Sequence, residues 1–239
     1  MPDIRYRFEL PNGELAQFDL ALDEHTALLH RRPLTDPPKW TQLSFHQCSN
    51  CPLNDRDDPL CPVAHSLADV VPKFEHLVSY QELTVVIETE ERTVTAKVDV
   101  QAALSSMMGL IMATSGCPHT SFFRPLARFH LPLANEQETI HRVANNWLLA
   151  QHLRRSEGHA TDDTFDGLLG IYGQLQIVNA AMTKRLRAAG RTDSTLNAVV
   201  LLDLFSMIVP AAVDDSLADI KALFATFLQG PAFEPPVDQ

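Results

Sequence analysis

Hydrophobic and polar residues alternate with period two at the start of the chain. Ile4, Tyr6, Phe8 and Leu10 are separated by Arg5, Arg7 and Glu9, and Phe18, Leu20 and Leu22 by Asp19 and Ala21. Such alternation puts one apolar set on one face of a strand. Pro11-Asn12-Gly13 lies between the two runs, and Asn-Gly favours the positive φ of a tight turn, so a hairpin is predicted. A second hairpin is predicted from Leu83, Val85 and Ile87 followed by Val94, Ala96, Val98 and Val100, with the polar link 88–92 between them. Four antiparallel strands would form a small sheet with one face needing cover.

Helical spacing takes over after the second hairpin. Residues 101–114 are rich in Ala, Leu and Met and read as a buried helix, ended by Ser115-Gly116-Cys117-Pro118. Asn135 with Glu138 has the form of a capping box, opening a helix through Ile140, Val143, Trp147 and Leu148 to about Ser156. Further helices are predicted from Asp163 to Ala189, broken by Gly190, from Asp193 to Val209-Pro210, and from Asp214 or Asp215 through Phe227. Short links between amphipathic helices predict an antiparallel bundle. The fold class is therefore α+β: residues 1–134 form a sheet domain with a cysteine-rich loop, residues 135–230 a helical bundle, and residues 231–239 a tail.

Composition narrows the function classes. A chain of 239 residues that is 45% hydrophobic can build a core without a metal staple. Its net charge of −11 and the lack of a Lys/Arg stripe argue against nucleic-acid binding. The first residues, Met1-Pro2-Asp3-Ile4-Arg5-Tyr6, lack the apolar core of a secretory signal, and no apolar run approaches a membrane span. A cytoplasmic location with reduced thiols is expected, with no membrane association.

The four cysteines gain their meaning from that expectation. Cys48, Cys51 and Cys61 lie in a proline-punctuated stretch between the hairpins, and Cys117 follows the helix 101–114. Cys48-x-x-Cys51 lets one turn present two sulfurs to one centre, Cys61 closes a loop with the acidic tip Asp55-Arg56-Asp57-Asp58, and Cys117 supplies a rigid fourth ligand. Proline follows Cys51, Cys61 and Cys117 directly, as it follows a ligand in some iron–sulfur loops. These features point to an iron–sulfur cluster of the [4Fe-4S] type, with a structural four-cysteine zinc site as the alternative. Buried structural thiols, disulfides and a Cys-x-x-Cys redox pair are the competing explanations.

Other residues are weaker candidates. His46, His65 and His119 lie near the cysteines, and His119 is best placed to support the centre. Arg124, Arg128 and His130 make a basic group in an aromatic segment. Glu138 and His141 have the Glu-x-x-His spacing of di-iron bundles but no second copy, so a capping role is expected. Gly167, Gly170 and Gly173 recur every three residues in a predicted helix, where each costs about 1 kcal/mol, which suggests a groove for close packing. No nucleophile elbow, phosphate loop, dinucleotide fingerprint or zinc-protease helix is present. The sequence thus predicts a metal-centre protein rather than an enzyme, with an electron-transfer, redox-sensing or accessory role and a protein partner or second copy on the helical half.

Overall fold

A computed structural model describes residues 4–162, 164–188 and 193–230, and for Phe205 and residues 210–219 the backbone alone. Strands β1 (Ile4–Glu9) and β2 (Leu15–Leu20) form the first hairpin, closed where Leu10 N donates to Glu14 O (2.8 Å) and Gly13 takes φ +84°. Strands β3 (Glu82–Thr89) and β4 (Thr93–Asp99) form the second. The sheet order is β2-β1-β3-β4, antiparallel throughout, with Ile4 opposite both Leu20 and Thr89. Both predicted hairpins are therefore present, and the first strands of each pair up in the middle.

Alternation decides the two faces. Ile4, Tyr6 and Phe8 on β1 and Leu83, Val85 and Ile87 on β3 are buried, and Phe74 fits edge-on against Phe8 with centroids 5.0 Å apart. The opposite face carries cross-strand ion pairs, Arg5–Asp19 (2.6 Å) and Arg7–Glu88 (3.4 Å). Helix α1 (Pro62–Leu67) and helix α2 (Val100–Thr114) cover the apolar face. The Asp99 carboxylate caps α2 by accepting from Ala102 N at 2.7 Å. At its other end Gly116 adopts φ +88°, and Leu29 N takes up the Thr114 carbonyl (2.9 Å).

A 3-10 segment, Pro118–Phe123, leads into the short α3 (Arg124–Arg128) and then into α4 (Glu136–Ser156), α5 (Asp166–Ala188), α6 (Asp193–Leu223) and α7 (Ala225–Gln229). The Asn135–Glu138 capping box is present in both directions, Asn135 Oδ1 to Glu138 N (2.9 Å) and Glu138 Oε2 to Asn135 N (2.8 Å). The core of the sheet continues into the bundle through Val178, Met182 and Leu186 of α5 and Ala198 and Val199 of α6. A second cluster joins Ile140, Val143 and Trp147 of α4 to Leu168 and Tyr172 of α5 and to Val209. The architecture is α+β with a helical part.

One sequence expectation for the helices is corrected. The helices predicted from Asp193 and from Asp214 or Asp215 are one, because α6 runs unbroken through Pro210. A proline offers no N–H to the carbonyl four residues earlier, here Ser206, and the Gln176 side chain on α5 donates to that oxygen at 3.1 Å. At the start of α5, Asp162 accepts from Thr164 N and Gly167 N (both 2.8 Å), so this acid, four residues before the helix, closes its first turn. Asp193, the first residue of α6, accepts from Asn197 Nδ2 within its own helix (2.8 Å) and from Ser79 N (2.8 Å), tying α6 to the loop before β3. The expected start at Asp163, the break at Gly190 and the tail 231–239 lie outside the described residues.

The glycine triplet divides. A Cβ on Gly167 would lie 2.5 Å from Trp147 Cη2, so this position allows the buried indole of α4 to approach. Gly170 and Gly173 have nothing within 4 Å of the same position and are exposed, so no groove explains them. Close approach of another kind occurs at Gly109 on α2, where Leu202 of α6 stands 3.3 Å from a would-be Cβ.

Candidate functional site

The cysteine-bearing segment is held at its base and turned twice. Cys61 N donates to Thr41 O (2.8 Å) and Leu43 N to Pro59 O (2.9 Å), closing residues 42–60 into one loop. Inside it, Cys51 N donates to Cys48 O at 3.0 Å, which makes the Cys-x-x-Cys turn. Asn54 organises the acidic tip through Arg56 N (3.2 Å) and Asp57 N (3.3 Å), and residues 54–57 stay exposed.

Cys61 and Cys117 are set in matching backbone frames. Each is extended (φ −64°, ψ 122° and φ −64°, ψ 129°) and directly precedes a helical turn that begins with proline. Proline excludes its predecessor from the helical region while favouring the first helical position itself. The Cys-Pro pairs therefore place each thiol at a helix entrance. Thr120 N donates to the Cys117 carbonyl oxygen at 3.2 Å, and the backbone N–H groups of His119 and Thr120 favour charge on the Cys117 sulfur.

The four thiols are free and belong to one apolar cluster, with Cys61 and Cys117 buried and Cys48 and Cys51 half-buried. Burial pushes the Cys48 thiol up to about 12, with further upward contributions from Cys61, Cys117 and Cys51 and a downward one from Arg185. Burial likewise raises Cys117; its two N–H donors oppose this, and Cys61 and Cys51 add to it. The sulfurs are thus near enough to feel one another's charge. Among the described residues, no three or more His, Cys, Asp or Glu side chains are gathered so as to hold one metal ion.

Two side chains missed by sequence reasoning bind this region together. Arg185 of α5 is 1% exposed and donates from Nη1 to Trp40 O (2.8 Å) and Gln42 O (2.6 Å), and from Nη2 to Leu43 O (2.9 Å). Its Nε has no partner, and no carboxylate of the described residues lies within ion-pair distance. A buried guanidinium normally carries a carboxylate, so this cation, whose charge lowers the Cys48 pKa, is buried without its usual counter-charge. Asn50, inside the Cys-x-x-Cys turn, donates from Nδ2 to Gln174 Oε1 (2.8 Å), fastening the turn to α5. Signals for both existed: Arg185 falls between Met182 and Leu186 on the apolar stripe of α5, and Asn50 occupies the turn itself.

The histidines separate clearly. His119 Nε2 lies 2.7 Å from the Asn50 carbonyl oxygen, so it bridges the Cys117 segment and the Cys48–Cys51 turn. His65 Nε2 meets Arg32 O at 2.9 Å, and His46 is exposed with its ring edge-on to Phe45. His141 pairs with Asn145 (3.1 Å), while Glu138 is occupied by the capping box. The expected basic group does not form one patch: His130 turns inward to the Tyr6 hydroxyl at 2.6 Å, while Arg128 is exposed.

No single helix among the described residues is long and apolar enough to cross a membrane. No curated protein and no solved structure is similar to this chain. A family model described as a domain of unknown function, DUF6901, matches residues 4–225, and the chain belongs to that family.

Proposed function

We propose that this member of the DUF6901 family is a cytoplasmic metal-centre protein whose Cys48, Cys51, Cys61 and Cys117 hold an iron–sulfur cluster, with an electron-transfer, redox-sensing or accessory role. The observation that carries the reading is that four free thiols share one apolar cluster, in a loop whose base is held by a buried arginine that lacks a carboxylate. Four thiolates around a metal centre would supply the missing negative charge. Cys48, raised to about 12, is a neutral thiol at neutral pH without such a centre, so loading must release protons and coordination must offset that cost. The choice of iron–sulfur follows from proline after three of the four cysteines.

A structural zinc ion on the same sulfurs, in a non-catalytic protein that binds a partner or a second copy, is the second reading. Exposed Leu223, Phe224 and Leu228 at the end of the helical half favour an interaction surface there.

Anaerobic purification followed by visible spectroscopy and assays of iron, acid-labile sulfide and zinc tests both. A brown protein with iron and sulfide supports the cluster, and a colourless protein with one zinc supports the second reading. Absence of both metals, with Cys117→Ser leaving thermal stability unchanged, defeats the shared centre.

A further inference from the structure

A cavity of about 350 Å³ lies where α2, α3, α4, α5 and α6 meet. Most of its wall is apolar, including Leu110, Ala113, Phe123, Leu175 and Leu202. Volume and lining fall in the range of small-molecule sites, and at about 30 Å³ per small group the space suits roughly a dozen non-hydrogen atoms.

Polar side chains interrupt this wall, and Arg142 and Asn179 among them have unused hydrogen-bonding capacity. Among the described residues, Arg142 is the only side chain of fixed charge lining it. Its Nη2 is committed to Leu126 O (2.9 Å) and Phe129 O (2.7 Å), which fixes the guanidinium in place and leaves Nη1 and Nε without acceptors among the described residues. No carboxylate of the described residues lies within ion-pair distance of it. Asn179 is 1% exposed and its Oδ1 has no hydrogen-bond partner, while its Nδ2 reaches Asp203 Oδ1 at 3.4 Å. A buried acceptor left unpaired costs about 1–3 kcal/mol, so a donor is wanted there. Of the other polar groups in the wall, His130 is satisfied by Tyr6, whose hydroxyl also meets Ser106 Oγ at 2.9 Å, while Thr120, Thr139 and Ser206 donate to Met112 O (2.7 Å), Asn135 O (2.8 Å) and Asp203 O (2.6 Å).

We propose that this cavity binds a medium-chain aliphatic hydroxy acid, with the carboxylate on the free edge of Arg142, the hydroxyl donating to Asn179 Oδ1 and the carbon chain along the apolar wall. A fixed guanidinium edge matches a planar carboxylate. The apolar wall disfavours a ligand that is charged along its length, and the volume matches a chain of about ten carbons. Thr120 lines the cavity, donates from Oγ1 to Met112 O (2.7 Å) and lies three residues after Cys117, so one turn of chain separates this site from the thiols. The inference nevertheless stands on the cavity alone and holds whether or not a metal centre forms.

Titration calorimetry of the purified protein with decanoate, ω-hydroxydecanoate and decanol tests it. The expected result is saturable binding of both acids below about 1 mM, tightest for the hydroxy acid, with decanol at least about tenfold weaker. Arg142→Gln is expected to weaken both acids about tenfold and leave decanol unchanged. Should Arg142→Gln fail to fold, the comparison of acid with alcohol on the native protein decides the head group, and Asn179→Leu decides the hydroxyl by abolishing the advantage of ω-hydroxydecanoate over decanoate. No saturation by either acid, equal affinity for decanol, or a hydroxy acid that binds no tighter than decanoate overturns the proposal.

Discussion

The guanidinium of Arg185 donates to the carbonyl oxygen of Leu43 at 2.9 Å, across 142 residues of sequence. With its bonds to Trp40 and Gln42 it holds the base of the cysteine loop against α5. Replacement by methionine keeps most of the apolar stem but leaves the Trp40 and Leu43 carbonyls without their donor, while Gln42 O keeps the Phe45 N–H (3.2 Å). Each orphaned group costs about 1–3 kcal/mol, partly offset by removing an uncompensated buried charge. Arg185→Met is expected to lower the unfolding free energy by about 3 kcal/mol in guanidinium denaturation, and Arg185→Lys to recover less than half. A methionine variant as stable as the parent would show that the cation is a net burden instead.

The three glycines of α5 should respond with opposite signs. Alanine at Gly167 drives a methyl into the Trp147 ring, whose Nε1 is anchored on Thr164 O at 2.8 Å and has little room to retreat. Overpacking of this kind costs about 1–3 kcal/mol, more than the helix propensity gained. Gly170→Ala and Gly173→Ala meet open space and should each add about 0.5–1 kcal/mol. Thermal melts of the three single variants check the pattern, and a destabilised Gly170→Ala or Gly173→Ala would contradict it.

Elements whose causes are local were legible in the sequence. The hairpins follow from alternation and Asn-Gly, the α4 entrance from Asn135 and Glu138, and the settings of Cys61 and Cys117 from the prolines that follow them. What escaped depends on partners far along the chain. Pro210 signals a break, and only Gln176 on another helix supplies the bond that lets α6 continue. Arg185 reads as part of a basic helix end until residues 40–43 fold beneath it. Gly170 and Gly173 look like packing glycines beside Gly167, yet helix spacing alone does not say which face meets a neighbour. Asn179 and Arg142 are ordinary helix residues until three other elements enclose the space between them.

The bond from Gln176 to Ser206 has a measurable signature. Gln176→Leu removes the donor that replaces the missing N–H of proline, at an expected cost of about 1–2 kcal/mol. In a Pro210→Ala background the alanine N–H can serve the same oxygen, so the cost of Gln176→Leu should fall below about 0.5 kcal/mol. A double-mutant cycle by urea unfolding measures the difference. Equal costs in both backgrounds would show that Gln176 does not compensate for the proline.

His130 should make stability fall on acidification. Burial pushes its pKa down to about 4, with the positive charge of Arg142 adding to the shift, and its Nε2 meets the Tyr6 hydroxyl at 2.6 Å. Tyr6, itself held protonated by burial, donates that proton while His130 stays neutral. In the unfolded chain the imidazole returns to its ordinary value near 6.5. Between about pH 6.5 and pH 4 the unfolded state therefore binds a proton that the folded state does not, and folding weakens as pH drops. The contribution is fully present above about pH 6.5 and is lost as the pH approaches 4, amounting to about 2–3 kcal/mol. His130→Gln keeps an acceptor for Tyr6 but cannot be protonated. Denaturant unfolding at about pH 7.5 and about pH 4.5 should show the parent losing about 2 kcal/mol more than this variant on acidification. Equal losses would place the acid sensitivity elsewhere and remove His130 from its cause.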